Sequence, residues 1–303
     1  MTVIQVDGLR KTYGDLVAVD GISFEVAEGE VFGMVGPNGA GKTTTIECIE
    51  GLRKPDGGRI HVLDMEPERD GYQLRRRIGV QLQEAGLPDR LKVWEAMDLF
   101  ASFYDETVPW EPLLARFGLA EKRKAYVDDL SGGQKQRLFI ALALLNDPKV
   151  VFLDELTTGL DPQARRAMWD MVRGIRDQGK TVFLTTHYME EAEELCDRVA
   201  IIDHGQIVAL DTPTALIRSI GGERRIRFTA KGDFDDASLR RLKSVSRVDR
   251  HNSTVTIYGS DDRFLTDVVS VLEKARVPFN NLSVQEPSLE DVFLTPTGRG
   301  IRE

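Results

Sequence analysis

The sequence predicts two domains: an α/β domain built on a mostly parallel sheet, then a smaller α+β domain. Three observations carry this. The stretches "EVFGMVG", "VVFLDE" and "TVFLTTH" are short apolar runs of strand length, separated by segments with helical periodicity. That is how strands covered on both faces read. The alternation breaks at Gly221-Gly222 in "IRSIGGERR". Beyond the break the segments follow the order βαββαβ, the ferredoxin-like arrangement. A length of 303 residues suits two domains.

The first domain is assigned to residues 1–220 and the second to 221–303. Within the first, "AIIDHGQIVAL" holds two apolar runs around His204-Gly205, which reads as a hairpin. Residues 86–129 are helical in pattern with no strand signal. They read as the start of an inserted helical subdomain extending to about residue 147. In the second domain, "RIRFTA" alternates as a strand and "DDASLRRLKSV" reads as a capped amphipathic helix. "SRVDR" is a weaker strand and "STVTIYG" a further one. In "DRFLTDVVSVLEKA", Leu265, Val268, Val269 and Leu272 are expected to share one helix face. "NLSVQE" closes the series as a strand.

Bulk properties narrow the function. Hydrophobic residues make up 41% and charged residues 29%, the balance of a globular protein with a substantial core. A net charge of −9 argues against a broad nucleic-acid-binding surface. Cys48 and Cys196 are the two cysteines, without metal-ligand spacing, and read as reduced thiols. "MTVIQVDGLRKTYG" has no apolar core of signal-peptide length. No window offers the ~18 consecutive apolar residues of a spanning helix.

The chemistry begins at "GPNGAGKTT", comprising Gly36, Pro37, Asn38, Gly39, Ala40, Gly41, Lys42, Thr43 and Thr44. It follows a predicted strand and opens a predicted helix. Glycines let several backbone N–H groups converge on one anion, and the helix N-terminus adds its dipole. Lys42 can reach the outer phosphates and the Thr43 hydroxyl can ligate Mg²⁺. A glycine-rich turn beside a surface lysine is the plain alternative, disfavoured by the flanking strand and helix. "KVVFLDE" places Asp154 and Glu155 where a buried strand emerges. Asp154 can hold Mg²⁺ through water, and Glu155 can orient or deprotonate an attacking water. In "LSGGQKQRL", Ser131 reads as a helix N-cap followed by Gly132, Gly133 and Gln134, with N–H groups that could clasp a phosphate.

The phosphate loop, the acidic strand end and "LSGGQKQRL" together resemble the ATP-binding-cassette (ABC) family. The resemblance covers the first ~215 residues and implies a P-loop NTPase cassette, ATPase activity, and ATP with Mg²⁺ as ligands. It also implies several roles. Tyr13 in "KTYGD" would stack on adenine. Gln83 in "IGVQLQE" would contact Mg²⁺ and the nucleophilic water, with Gln81 as a competing candidate. Asp161 in "TTGLDP" would contact a second cassette, and His187 would sense the γ-phosphate. Cassettes of this family close head to tail, one chain's phosphate loop facing the other's signature, so a homodimer is implied. The family usually has proline after the catalytic glutamate, whereas this chain has Leu156. A following proline biases a residue towards extended backbone. Without it, the buried strand is expected to hold Glu155 in place.

The closing "EPSLEDVFLTPTGR" reads as a helix capped by Ser288 with Asp291 at its third position. Leu289, Val292 and Phe293 would share its apolar face, and Pro296 and Gly298 would stop it. It either closes the small domain's own core or docks on a cassette. Together with "TTTIECIEGLRKPDGG", this ending is similar to the ATPases of ABC-2-type exporters of the daunorubicin-resistance kind. That resemblance implies separate polytopic permease subunits, a peripheral position on the cytoplasmic face of the membrane, and a drug-like or lipid-like cargo. The alternative is a soluble cassette ATPase acting on a ribosome, nucleic acid or assembly scaffold.

Overall fold

A computed structural model describes residues 1–81, 86–88, 90–221, 223–231, 236–260 and 263–297. The chain forms two compact units, one ending at Pro213 and the other starting at Thr214. Gln83, expected to contact metal and water, lies outside the described residues.

The first unit opens with a long antiparallel pair, β1 (Thr2–Tyr13) and β2 (Leu16–Ala27). Then come β3 (Val31–Val35), α1 (Lys42–Ile49), β4 (Gly57–Val62), α2 (Pro67–Arg75) and β5 (Ile78–Gln81). The next segment is helical, with α3 (Val93–Ala101), α4 (Trp110–Arg116), two short 3-10 turns and α5 (Gly132–Ala143). The chain returns as β6 (Val150–Asp154), α6 (Pro162–Arg176), β7 (Thr181–Thr186) and α7 (Met189–Leu195). It ends in the hairpin β8 (Arg198–Asp203) and β9 (Gln206–Asp211).

Two sheets result. The larger has the order β5-β6-β7-β3-β8-β9, parallel except for the β8–β9 hairpin. Every residue of β3, β6 and β7 is buried, as a sheet covered on both faces requires. The smaller, β2-β1-β4, is antiparallel throughout. The sequence reading had not separated this second sheet, because apolar runs show strand length and not partner. Helix α1 packs on β2 and β4 and also on β6 and β7, so the helix following the phosphate loop lies between the two sheets. In the helical segment, α3 and α4 both pack on α5. Arg137 of α5 donates to the Phe117 carbonyl at the end of α4, at 3.2 Å.

The second unit comprises α8 (Pro213–Ser219), β10 (Arg224–Ala230), α9 (Ala237–Arg240), β11 (Val245–His251), β12 (Thr254–Gly259), α10 (Phe264–Lys274), β13 (Phe279–Gln285) and α11 (Leu289–Thr297). Its sheet has the order β11-β12-β10-β13, all antiparallel. Two details differ from expectation. Helix α9 is a single turn, its Asp236 carboxylate accepting from the Arg240 guanidinium at 2.8 Å. The buried face of α10 is Phe264, Val268 and Leu272, while Leu265 is 41% exposed. Phe264 supplies the ring that fills the core, and the i, i+4 ladder starts from it. Helix α11 is described as far as Thr297, and Gly298, expected to help stop it, lies outside the described residues. Its start is as expected: Asp291 accepts from the Ser288 N–H at 3.1 Å and the hydroxyl at 3.3 Å.

At the centre of the large sheet, Phe183 lies 5.5 Å from Phe32, 5.8 Å from Phe152 and 6.0 Å from Phe24, centroid to centroid. All four rings are buried. Phe183→Ala is expected to cost about 3–5 kcal/mol of stability, because close-packed neighbours collapse only partly into the cavity. Denaturant unfolding checks it, and a loss below about 1 kcal/mol would show that the cluster is not the keystone of this core.

Candidate active site: a phosphate loop between two sheets

The loop from Gly36 to Gly41 joins the end of β3 to α1. Two of its glycines are required sterically. A Cβ on Gly36 would fall 2.1 Å from the Ile202 carbonyl oxygen, and one on Gly41 would fall 2.3 Å from that of Ala18. Gly41 also takes a φ of 106°, which disfavours any side chain. It caps α1 without a side-chain bond and with no acidic residue in the first turn. The first-turn N–H groups of α1 are therefore positioned for an anion.

The Lys42 ammonium is buried under this loop. It donates to the carbonyls of Gly36 at 2.9 Å and Pro37 at 3.0 Å, and lies 3.4 Å from Glu155 Oε1. Burial lowers its pKa, and the carboxylates of Glu155 and Asp154 oppose that shift. Asp154 ends β6 opposite Thr185 of β7 and accepts a short hydrogen bond from the Thr185 hydroxyl. Burial raises its pKa, with Glu155 acting in the same direction, while bonds from Thr185 and Thr43 act against it.

Glu155 does not continue the strand. Its φ is 49°, in the left-handed region, and its N–H donates to the Thr185 carbonyl at 3.1 Å. Extended backbone of its own therefore does not hold this residue. A cross-strand threonine holds it, and buried Leu156 anchors the next position. The Glu155 carboxylate accepts from the Thr158 hydroxyl at 3.3 Å, and His187 Nδ1 lies 3.6 Å from it.

Of these groups Lys42 and Glu155 line one cleft of about 430 Å³, whose described lining does not include Asp154 or His187. Its lining brings together Tyr13, Asn38, Gly39, Gly41, Lys42, Thr43, Thr44 and Glu155, with Leu16, Val17 and Ala18 from β2 and His204 from the β8–β9 turn. Tyr13, at one end, is 39% exposed, with the Arg53 guanidinium 5.2 Å and the Lys11 ammonium 5.8 Å from its ring centre. Arg53, Thr185 and His204 were not anticipated. Only His204 had a local signal, as the non-glycine half of a tight turn.

Ser131, Gly132, Gly133, Gln134 and Asp161 are absent from this lining. They cluster elsewhere. Ser131 and Gln134 form a reciprocal cap, Gln134 N–H to Ser131 Oγ at 3.3 Å and Ser131 N–H to Gln134 Oε1 at 3.0 Å. Asp161 caps α6 by accepting from the N–H groups of Gln163 and Ala164, both at 2.9 Å. A Cβ on Gly133 would lie 3.8 Å from Leu160 and 3.9 Å from Ala164, so the two caps are neighbours.

Comparison with known proteins decides what this arrangement is. The ABC transporter family profile matches residues 19–158. The chain is 38% identical to the daunorubicin resistance ATP-binding protein DrrA3 of Streptomyces coeruleorubidus, over 98% of this chain and 96% of that protein. It is 40% identical to the Nod factor export ATP-binding protein I of Rhizobium sp. (strain N33), over 98% and 97%. The chain belongs to the ABC transporter family, among the ATPases of ABC-2-type exporters. It is an ATP-binding cassette ATPase. Its fold also matches the dimeric post-hydrolysis structure of the cassette MJ0796 bound to ADP and Pi, with a TM-score of 0.61 at 26% identity, covering 69% of this chain and 98% of that one. Among the described residues no helix is long and apolar enough to cross a membrane.

One buried acid behind the cassette's α1 makes stability depend on pH. Glu50 is 1% exposed and its Oε2 has no hydrogen-bond partner among the described residues. Burial, reinforced by Asp154 and Glu47, pushes its pKa well above the usual carboxylate range. The native state therefore holds this proton more tightly than the unfolded chain. Its contribution is fully present below about pH 4.5 and is lost as pH rises through the higher native value. Glu50→Gln removes that dependence. It is expected to raise Tm relative to the parent near neutral pH, with the gain shrinking towards about pH 4.5. Thermal melts across that range check this, and a gain independent of pH would contradict it.

Proposed function

We propose that two copies of this chain form the ATP-driven motor of an exporter, gripping separate polytopic permease subunits at the cytoplasmic face of the membrane. The observation that carries the dimer is the division of nucleotide-facing groups between two places on one chain. The cleft holds the phosphate loop and Glu155, while the Ser131 and Asp161 caps stand outside it. One chain thus presents a cleft and a separate pair of capped helix starts. Head-to-tail pairing would set Ser131, Gly132, Gly133 and Gln134 of one copy against nucleotide bound by the other.

In this reading Tyr13 stacks on adenine, Lys42 and the α1 N-terminus bind the outer phosphates, and Thr44 supports the phosphate chain. Thr43 and Asp154 supply a hydroxyl and a carboxylate beside the phosphates, the hard oxygen donors that suit Mg²⁺. Asp154 is buried beside Thr185, so a bound cation would offset the burial that raises its pKa. Gln83 would complete that side. Bound Mg²⁺ would neutralise charge on the phosphate oxygens. Glu155 accepts the proton of the attacking water, and His187 contacts the γ-phosphate. The Glu155 backbone is left-handed, and Thr185 fixes it through the Glu155 N–H. Loss of γ-phosphate then separates the two copies.

Residues 1–220 would form the cassette, with 86–147 as its helical subdomain, and 221–303 a ferredoxin-like accessory domain. The antiparallel order β11-β12-β10-β13 supports the latter. The relatives' names point to a drug-like or lipid-like cargo. Asp291 of α11 pairs with Arg225 of β10, and Leu289, Val292 and Phe293 are buried, which supports a helix that closes the second unit.

Glu155→Gln is expected to lower ATP turnover by at least 10²-fold while retaining ATP binding, and to accumulate a dimer with ATP. Light scattering after size exclusion checks the dimer. Substantial residual hydrolysis, or a monomer with bound ATP, would refute the reading. Removing residues after Gln285 in the Glu155→Gln background should destabilise the second unit and leave this dimer intact. Loss of the dimer with the unit still folded would assign α11 to the interface.

A further inference from the structure

The β8–β9 turn places an imidazole in the nucleotide cleft, and its attachment shows what that imidazole meets. His204 and Gly205 form the turn, with φ of 47° and 76°. Two left-handed residues in a two-residue loop hold a hairpin apex in one conformation. The apex is pinned to both neighbours of the cleft. The Gly205 N–H donates to the Ala40 carbonyl in the phosphate loop at 3.0 Å, and its own carbonyl accepts from the Asp20 N–H of β2 at 2.8 Å. A Cβ on Gly205 would fall 2.9 Å from the Ala18 carbonyl oxygen, so the apex lies directly against β2.

Position along the cleft follows. Tyr13 and Leu16 flank the β1–β2 turn, Lys42 and Thr43 open α1, and all four line the cleft with Glu155. Val17 and Ala18 run between them, and the Ala18 carbonyl abuts Gly41. The apex docks at this middle stretch, where a nucleotide laid from Tyr13 to Lys42 carries its ribose and α-phosphate. We propose that His204 is a nucleotide-binding residue, its imidazole donating a hydrogen bond to the ribose–α-phosphate segment of ATP and ADP. The hairpin of the large sheet thereby acts as a third wall of the site, besides the phosphate loop and β2. Asp203 Oδ1 lies 3.8 Å from His204 Nε2, beyond hydrogen-bond distance, so the ring's N–H is not committed to that carboxylate.

The proposal rests on the cleft being the ATP site, which Lys42→Ala tests separately: unchanged ATP binding there would refute that reading and not this one alone. His204→Asn is the informative variant, because Asn-Gly is a favoured pair for such a turn and keeps the hairpin. In the full chain, equilibrium binding of ADP should weaken about 3- to 10-fold in His204→Asn and similarly in His204→Ala. In steady-state hydrolysis the larger change should fall on KM. Competition with adenosine and with pyrophosphate divides the contact. Weakened adenosine binding places it on the ribose, and unchanged adenosine with weakened ADP places it on the α-phosphate. Either outcome supports the proposal. ADP binding equal to the parent's in the correctly folded Asn variant, judged by its Tm, overturns it.

Discussion

The buried ammonium of Lys42 is the charge around which the cassette is organised. Burial alone would drive it towards neutrality, yet it remains beside two loop carbonyls and the Glu155 carboxylate. A buried cation survives only when its partners are held at fixed distances. Here those partners come from separate parts of the chain: the loop after β3 and the end of β6. Helix α1, which carries the lysine, is wedged between both sheets and cannot shift without disturbing either. The large apolar interior therefore supports a small polar centre. The phosphate loop, the acidic strand end and the sheet order are one requirement seen from three sides.

That requirement explains which parts of the molecule were legible in the sequence. "GPNGAGKTT" and "KVVFLDE" are contiguous stretches that each set polar groups at a strand end, so Lys42, Thr43, Asp154 and Glu155 are candidates from local pattern. The parallel sheet was legible for the same reason, since strands buried on both faces read as unbroken apolar runs. Thr185 was not legible. Its hydroxyl and carbonyl matter because β6 and β7 are in register, a relation no single stretch encodes. The separate β2-β1-β4 sheet escaped on the same ground. In the second unit, periodicity identified α10 but missed Phe264, because a helix face is set by where the core lies and the first residue of a helix can still reach it.

His204 and the Ser131 cap show two ways in which distant segments would serve one site in the proposed dimer. The hairpin apex reaches the cleft within the chain, fixed by two backbone hydrogen bonds of Gly205, so the hold on the hairpin does not depend on the His204 side chain. The Ser131 cap is complete in itself. Its serine and glutamine satisfy one another, and the neighbouring Asp161 satisfies α6. A self-contained cap keeps its shape before a partner arrives, which lowers the ordering cost of association.

Leu156 bears on the same division between local and long-range control. A proline there would restrict the backbone of Glu155 from its own position in the chain. With leucine, the control passes to Thr185 across the sheet and to burial of the leucine side chain itself. Left-handed backbone at a non-glycine residue costs roughly 1–3 kcal/mol and persists only where surrounding structure over-determines it. Two contacts from Thr185, one from its carbonyl and one from its hydroxyl, meet that condition. The same hydroxyl also serves Asp154, so the geometry of Glu155 and that of Asp154 are set by one residue of β7. A displacement of β7 relative to β6 would therefore move both carboxylates together, coupling the shape of the sheet to the chemistry at its edge.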